Sequence, residues 1–346
     1  MDNLTIIDVA DLAGVSVSTV SRVLNNHPDV SKKTREKVMA IINEHTYIPN
    51  NSARSLKRES IKAVAVIVKG FSNPFFTSML TVIQQELEEN RYIAMLHQVD
   101  PNQDEVEAAI SLCKEKKPRA LIFMGGNFQH SRDKLARLNV PYVMLTITMH
   151  KNVDRGTFSS VAIDDYAASY RVGEAICKAG HKSFGVISSY TNDKSISRLR
   201  LDGFKKALQD NGLQLNEKAV AYAGQFSRAA GYEAAKQLMQ TAKFTALFCI
   251  SDILALGAIR AIHDEGYSVP EDISVIGFDG IDEGRYSIPS LATVKQPGME
   301  MAYECVQILL NQLRKGSPHE HMVFKETLLD GESFYAPNGI NGFKQG

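Results

Sequence analysis

No stretch of this sequence approaches the run of roughly 20 apolar residues that a membrane-spanning helix needs. Its first residues, MDNLTIIDVA, lack the basic start and apolar core of an export signal. The expectation is a cytoplasmic protein without a membrane partner. Cysteine is sparse. Cys113, Cys177, Cys249 and Cys305 lie far apart in apolar surroundings and form no CxxC pair, which favours buried reduced thiols over disulfides or zinc. An excess charge of one sign is missing as well. The 39 Lys and Arg balance 39 Asp and Glu, so no global field draws the chain onto a polyanion. Any contact with nucleic acid must come from a local arrangement. The signatures of nucleotide and hydrolytic chemistry are also missing. No strand is followed by GxGxxG or GxxxxGK[ST], and neither a GxSxG elbow nor an HExxH helix occurs. "MGGN" at 124–127 offers only adjacent glycines, and "HEH" at 319–321 follows "GSP" and reads as a solvated loop. No catalytic residue, metal ligand or cofactor is expected.

The chain has 346 residues, 44% hydrophobic and 23% charged, which is ordinary for a globular protein and room for two or three domains. The first 49 residues read as three short helices. Thr5 with Asp8 three residues on resembles a capping box, and Ile6, Val9, Ala10 and Ala13 form one apolar stripe. Gly14 ends that helix, and Ser16 is placed to cap the next. In "VSVSTVSRVLN" (15–25) the apolar Val20, Val23 and Leu24 alternate with Ser16, Ser18, Thr19, Ser21, Arg22 and Asn25. A merely solvated face favours Glu, Lys and Gln. Hydroxyls, amides and guanidinium are instead the groups that meet phosphates and base edges. Pro28 breaks the second helix, and Ser31 caps a third with Val38, Ile41 and Ile42 inward. A tight glycine turn between the first two helices describes a helix-turn-helix, whose second helix enters the major groove. A small helical cap or dimerisation bundle would show the same amphipathicity. Charge separates the two only weakly, since residues 1–60 hold eight Lys and Arg against seven Asp and Glu.

The motifs are more specific. "DVADLAGVS", "TVSRVLN", "VS..TREKV" and "YIPN" run in register without a gap over about fifty residues. This stretch resembles the DNA-binding head of the lactose-repressor/galactose-repressor (LacI/GalR) family of bacterial transcription regulators. The resemblance implies that Val17, Ser18 and Arg22 read bases, and that Thr5, Ser16, Thr19, Ser21, Asn25 and Tyr47 help hold the backbone. Arg22 is the best direct reader, because a guanidinium bonds guanine O6 and N7 together. Val17 can offer only apolar contact, such as to a thymine methyl.

Residues 50–60 follow Pro49 and include "NNSARSLKR". Composition alone allows a flexible linker, and a helix this short is marginal by itself. The resemblance implies a hinge helix in which Asn50, Ala53 and Leu56 meet the minor groove, with Leu56 as the wedge that bends the duplex. It forms when DNA and a second copy stabilise it together.

From residue 61 the rhythm changes. "AVAVIV" (63–68), "IAMLHQV" (93–99), "ALIFMG" (120–125), "YVMLTIT" (142–148), "FGVISS" (184–189), "ALFCIS" (246–251) and "ISVIGFD" (273–279) read as buried strands separated by helices. Such alternation gives parallel sheets covered on both faces, and the number of units suits two lobes. The expected fold is therefore an all-α helix-turn-helix head plus an α/β core of two parallel-sheet lobes. By resemblance that core is like periplasmic binding proteins. The expected divisions are a head over 1–49, a hinge over 50–60, a core over 61–338 and a disordered tail over 339–346. Within the core, one lobe takes about 61–161 and 292–320, and the other about 162–289 and 323–338. Ligands of such sheets bind beyond the carboxyl ends of the strands. That rule directs attention to Asn73, Phe75, Phe76, Asp164, Phe226, Ser251, Asp279 and Gln296, with Arg200 standing before a helix, and the resemblance implies that Phe75, Asp164, Arg200, Phe226, Asp279 and Gln296 line the cleft. The pattern has Phe226 end a strand and Asp252 cap a helix. Carboxylates, a guanidinium, amides and phenyl faces suit a polyol such as a sugar. Singly, each has a plainer role: a helix cap, a surface ion pair or a core ring.

An enzyme built on the same alternation would need one of the missing signatures, and a plain sugar-binding protein would leave residues 1–58 without a use. The reading is an effector-controlled DNA-binding repressor. Its expected partners are a palindromic operator, a small sugar-like effector and a second copy of the chain, since the tail "APNGINGFKQG" has no heptads. The alternative within the family is a regulator co-repressed by a purine or activated by a partner protein.

Overall fold

The computed structural model describes residues 4–24, 27–45, 47, 62–100, 102–126, 130–147, 154–189 and 196–335. The chain divides into two compact units, residues 1–61 and 62–346. The hinge positions Asn50, Ala53 and Leu56, the head residue Asn25 and the tail 339–346 lie outside the described residues.

The head contains helices α1 (Ile6–Ala13), α2 (Val17–Leu24) and α3 (Lys32–Glu44). Each is too short to persist alone, so its ends matter. Thr5 and Asp8 form a reciprocal capping box, worth on the order of 1 kcal/mol. Gly14 takes φ 61° in the left-handed region, where a Cβ would be strained, and this turns the chain into α2. Ser16 Oγ accepts from Thr19 N at 3.3 Å, and Ser31 Oγ from Thr34 N at 3.2 Å. Val9, Ala10, Ala13, Val20, Val23, Val38, Ile42 and Tyr47 make one buried core.

The second unit holds two sheets. The first runs in the order β11 (His321–Phe324), β5 (Ser159–Ile163), β4 (Tyr142–Leu145), β3 (Ala120–Met124), β1 (Ala63–Lys69), β2 (Ile93–Val99), and its pairings are parallel. The second runs β12 (Thr327–Leu329), β10 (Ala292–Lys295), β9 (Ser274–Asp279), β8 (Ala246–Cys249), β6 (Phe184–Ser188), β7 (Val220–Tyr222). There only β12 against β10 is antiparallel. β1, β3, β4, β6, β8 and β9 are buried along nearly their whole length, as parallel strands covered on both faces must be.

The lobe boundaries fall a few residues later than the sequence suggested. β5 stays in the first sheet to Ile163, so the first crossing falls at Asp164. β10 pairs with β9, Ala292 opposite Ile276 and Lys295 opposite Asp279, and so belongs to the second lobe. The chain crosses back at Gln296–Pro297, because proline has no N–H to extend the ladder. Helix α12 (Gly298–Lys315) then packs on the first lobe. The last crossing also falls later than 320–323. β11 stays in the first sheet, and β12 joins the second after Lys325 and Glu326. Of "HEH", His319 and Glu320 are exposed and outside any strand, as a solvated loop would be, whereas His321 opens β11. His321 Nε2 donates to the Arg155 carbonyl at 2.9 Å, its Nδ1 lies 2.8 Å from Ser160 Oγ, and His319 lies 3.1 Å from Gln312 Nε2. Together these bonds fasten β11 to the sheet.

The second lobe's core centres on Phe248, fully buried and stacked on Phe204 at 5.1 Å between centroids. Phe248→Ala is expected to cost about 3–5 kcal/mol, read as a lower urea midpoint for the core's unfolding transition.

Candidate functional site

The carboxyl ends of β1, β3 and β4 face those of the second sheet across a cleft of about 140 Å³, lined from the first lobe by Lys69, Asn73, Phe75, Phe76, Gly125 and Thr146. The second lobe supplies Arg200, Phe226 and Asp279, and the crossing segment supplies Gln296. A wider, open groove of about 760 Å³ lies beyond Phe75 and Gln296. There Lys295 and Lys325 are exposed beside Asp282, Glu283 and Glu300, a solvated mixture of charges.

Asp279, the last residue of β9, organises the cleft. It is 2% exposed. Its Oδ1 accepts from Gln296 Nε2 at 2.8 Å and Arg200 Nη1 at 3.3 Å. Its Oδ2 accepts from Asn73 Nδ2 at 2.9 Å and Ser251 Oγ at 3.0 Å. Four donors fill what one carboxylate can accept. Burial pushes the carboxyl up, and the Arg200 cation opposes that shift. Its backbone takes φ 127°, a region that costs a non-glycine residue about 1–3 kcal/mol and survives only where neighbours enforce it.

Among the described residues, two side-chain bonds join the lobes. One is Asn73 to Asp279, and the other is Ser72 Oγ to the Phe226 carbonyl at 2.8 Å. A buried hydrogen bond to a charged group contributes about 1.5–3 kcal/mol. Entry of a ligand hydroxyl at Asp279 therefore requires an exchange of donors.

Arg200 lies within helix α8 (Ile196–Asp210) and not before it. Its Nε donates to Asp165 Oδ1 at 2.8 Å and its Nη1 to the Ile250 carbonyl at 2.6 Å, while the guanidinium lies 3.6 Å above Phe278. Among the described residues Nη2 has no hydrogen-bond partner, so its N–H groups are available to the cleft.

The structure separates the expected residues. Asn73, Phe75, Phe76, Arg200, Phe226, Asp279 and Gln296 meet at the cleft, and Ser251 supports Asp279 from behind. Phe226 sits in a loop, because β7 ends at Tyr222. Asp164 is exposed, caps α7 (Asp165–Lys178) through the Ala167 N–H at 2.9 Å, and does not line the cleft. Its neighbour Asp165 is the buried one, and burial raises its carboxyl to about 6 against the pull of Arg200. Asp252 is the first residue of α10 (Asp252–Asp264) and does not cap it. Its carboxylate accepts from Gly280 N, Ile281 N and Thr293 Oγ1, bracing the turn after Asp279. Burial, then the Asp279 charge, pushes it up. Sequence reasoning missed Asp165, Lys69 and Thr146. Lys69 was within reach of the strand-end rule. Nothing in "IDDY" distinguishes the two acids before the helix is placed.

In the head, Val17, Ser18 and Arg22 are exposed on α2, Val17 at 40%. Ser16 Oγ lies 2.8 Å from Ser18 Oγ and 2.9 Å from Thr19 Oγ1. Ser21 is half-buried. Thr5 is engaged in its cap, its Oγ1 donating to Asp8 Oδ2 at 2.6 Å. Tyr47 is 9% exposed and packs in the core, so its ring supports the third helix whatever its hydroxyl meets.

A family model described as "Bacterial regulatory proteins, lacI family" matches residues 5–50, and one for a periplasmic binding protein-like domain matches 174–334. The HTH-type transcriptional regulator MalR of Clostridium butyricum is 40% identical over 336 residues, 96% of this chain and 99% of that protein. The chain belongs to the lacI family of bacterial regulators. Its fold is similar to that of the lac repressor dimer bound to operator and the anti-inducer ONPF. That similarity has a TM-score of 0.71 at 26% identity and covers 97% of this chain and all of that one. It is also similar to a complex of the transcriptional regulator CelR with cellobiose, with a TM-score of 0.69 at 27% identity over 96% of this chain and all of that one. This lacI-family chain is thus a DNA-binding transcription regulator with a helix-turn-helix head and a periplasmic-binding-like core. No helix among its described residues is long and apolar enough to cross a membrane.

The buried acids give a pH signature. A carboxyl raised in the folded state contributes stability present below its ordinary value of 3.8, and for Asp165 this is lost as pH rises through about 6. Asp165→Asn keeps an acceptor for Arg200 Nε and removes the titration. Its melting temperature is expected to vary less than wild type's between pH 4 and about 6.5, measured by differential scanning calorimetry.

Proposed function

We propose that this regulator grips a palindromic operator as a homodimer and that a sugar bound between its core lobes changes that grip. The observation that carries the reading is the pair of cross-lobe bonds at the cleft, Asn73 to Asp279 and Ser72 to Phe226. A hydroxylated ligand that enters exchanges with them, so occupancy and lobe geometry are one event. Phe75, Phe76 and Phe226 offer apolar faces for a sugar ring, and Arg200 offers donors for its oxygens. The cellobiose bound by CelR supports the same ligand class.

The second copy supplies the geometry. Tyr286 is 73% exposed and Ile288 95%, an apolar pair suited to burial against a partner, and the lac repressor neighbour is a dimer. Two heads on one dimer read two half-sites. A lobe movement that changes head spacing then weakens both contacts together. Moving the operator from about 99% bound to 99% free needs a differential affinity of about 5.5 kcal/mol. In this reading residues 50–60 form the hinge, with Asn50, Ala53 and Leu56 in the minor groove, and Asn25 joins the phosphate contacts of α2. The protein works in the cytoplasm.

Operator selection from random duplex, followed by titration of neutral sugars on the selected site, tests the proposal. A palindromic consensus and at least a tenfold shift in affinity with one sugar are expected; the absence of any preferred palindrome would refute it. Arg22→Ala should weaken operator binding by about 1–3 kcal/mol and relax base preference at one position in each half-site, measured by fluorescence anisotropy on a set of single-base operator variants.

A further inference from the structure

The first-lobe wall of the cleft carries a charged cluster apart from the phenyl rings and Arg200. Lys69 closes β1 and lines the cleft. Its Nζ donates to the Gln103 carbonyl at 2.7 Å and to Glu105 Oε2 at 3.1 Å. Glu105 is 1% exposed, at the first turn of helix α5 (Glu105–Lys116), where the helix N-terminus favours a carboxylate. His130 Nε2 donates to Glu105 Oε1 at 2.8 Å. Gly126 closes over this group, and a Cβ there would lie 2.7 Å from Glu105 Oε1. For stability alone, a buried pair of this kind is often matched by apolar packing, so its position at the ligand-facing end of a strand calls for another use.

An ammonium carries three donors. Among the described residues two of those on Lys69 are occupied, which leaves one N–H for the cleft. Glu105 in direct contact offsets the Lys69 charge, and Asp165 and Asp279 together more than offset Arg200. The walls therefore hold no positive excess that could offset a phosphate's two charges away from water. Resting on the sugar reading above, we infer that Lys69, held by Glu105 and His130, is a specificity-determining residue of the cleft. It donates to an oxygen of an uncharged sugar at the end opposite Asp279, and the site rejects phosphorylated sugars.

The test uses the full chain and titration calorimetry with ribose, glucose, maltose and cellobiose, and with ribose 5-phosphate and glucose 6-phosphate. At least one neutral sugar should bind, and more tightly than any phosphate ester in the set. Lys69→Met should weaken that sugar about 10-fold or more without a comparable drop in melting temperature. Lys69→Gln, which keeps an N–H donor without the charge, should stay within about 3-fold of wild type. If Lys69→Met fails to fold, Lys69→Gln carries the test, and a loss beyond about 10-fold there overturns the assignment. A Lys69→Met affinity within about 2-fold of wild type also overturns it, while leaving the sugar reading intact. A phosphate ester that outcompetes every neutral sugar overturns the uncharged class. Failure of all six probes to bind tells against the sugar reading itself, and this inference falls with it.

Discussion

The core of this regulator depends on one buried carboxylate that two lobes share. Asp279 sits at the end of a strand in a conformation that only strong restraint keeps. Its donors come from the first lobe, the second lobe and the segment between them. A buried anion without donors is far costlier than the strain. The lobes are therefore held together around it, and anything that alters its donors alters their relation. The same residue closes the strand, turns the chain and joins the two halves of the cleft.

That arrangement changes what an acid in a sugar site means. An acceptor whose positions are all filled does not wait for hydroxyls. Among the described residues, Arg200 and Lys69 keep donors with capacity left. Each is held in place by a carboxylate, Asp165 or Glu105, so the cleft offers directed N–H groups with little net field. An uncharged ligand rich in oxygen matches such walls, and the three phenyl rings account for its apolar face. Asp252 stands one layer further out. By bonding the two amides after Asp279 and the Thr293 hydroxyl, it ties the turn to β10 and so to the crossing at Gln296.

The head follows different physics. Its core is eight buried side chains among the described residues, mostly alanine and valine, too few to hold three helices without their caps. Thr5, Ser16 and Ser31 each satisfy a helix N-terminus, and Gly14 supplies the turn. With inward positions of α2 given to valine, the opposite face is released for Ser18, Val17 and Arg22. Short polar side chains there bring the backbone close to a duplex, where long acidic ones would repel it.

Much of this was legible in the chain. The capping pairs, the turn glycine and the apolar stripes set the three head helices, because these are local interactions within a few residues. The buried runs and their spacing likewise gave two parallel-sheet lobes, and of the nine residues expected at the cleft seven line it, Arg200 from within a helix and not from a strand end. The errors have one cause. The choice between Asp164 and Asp165, the late crossings at Gln296 and Glu326, and the bonds of Asp279 and Lys69 depend on partners 16 to 206 residues away. The sequence by itself determined which segments are helix or strand and which chemistry gathers at strand ends. Only the tertiary structure decided which acid is buried, which donors remain available and which bonds span the lobes, because burial and distance are properties of packed segments and not of their order.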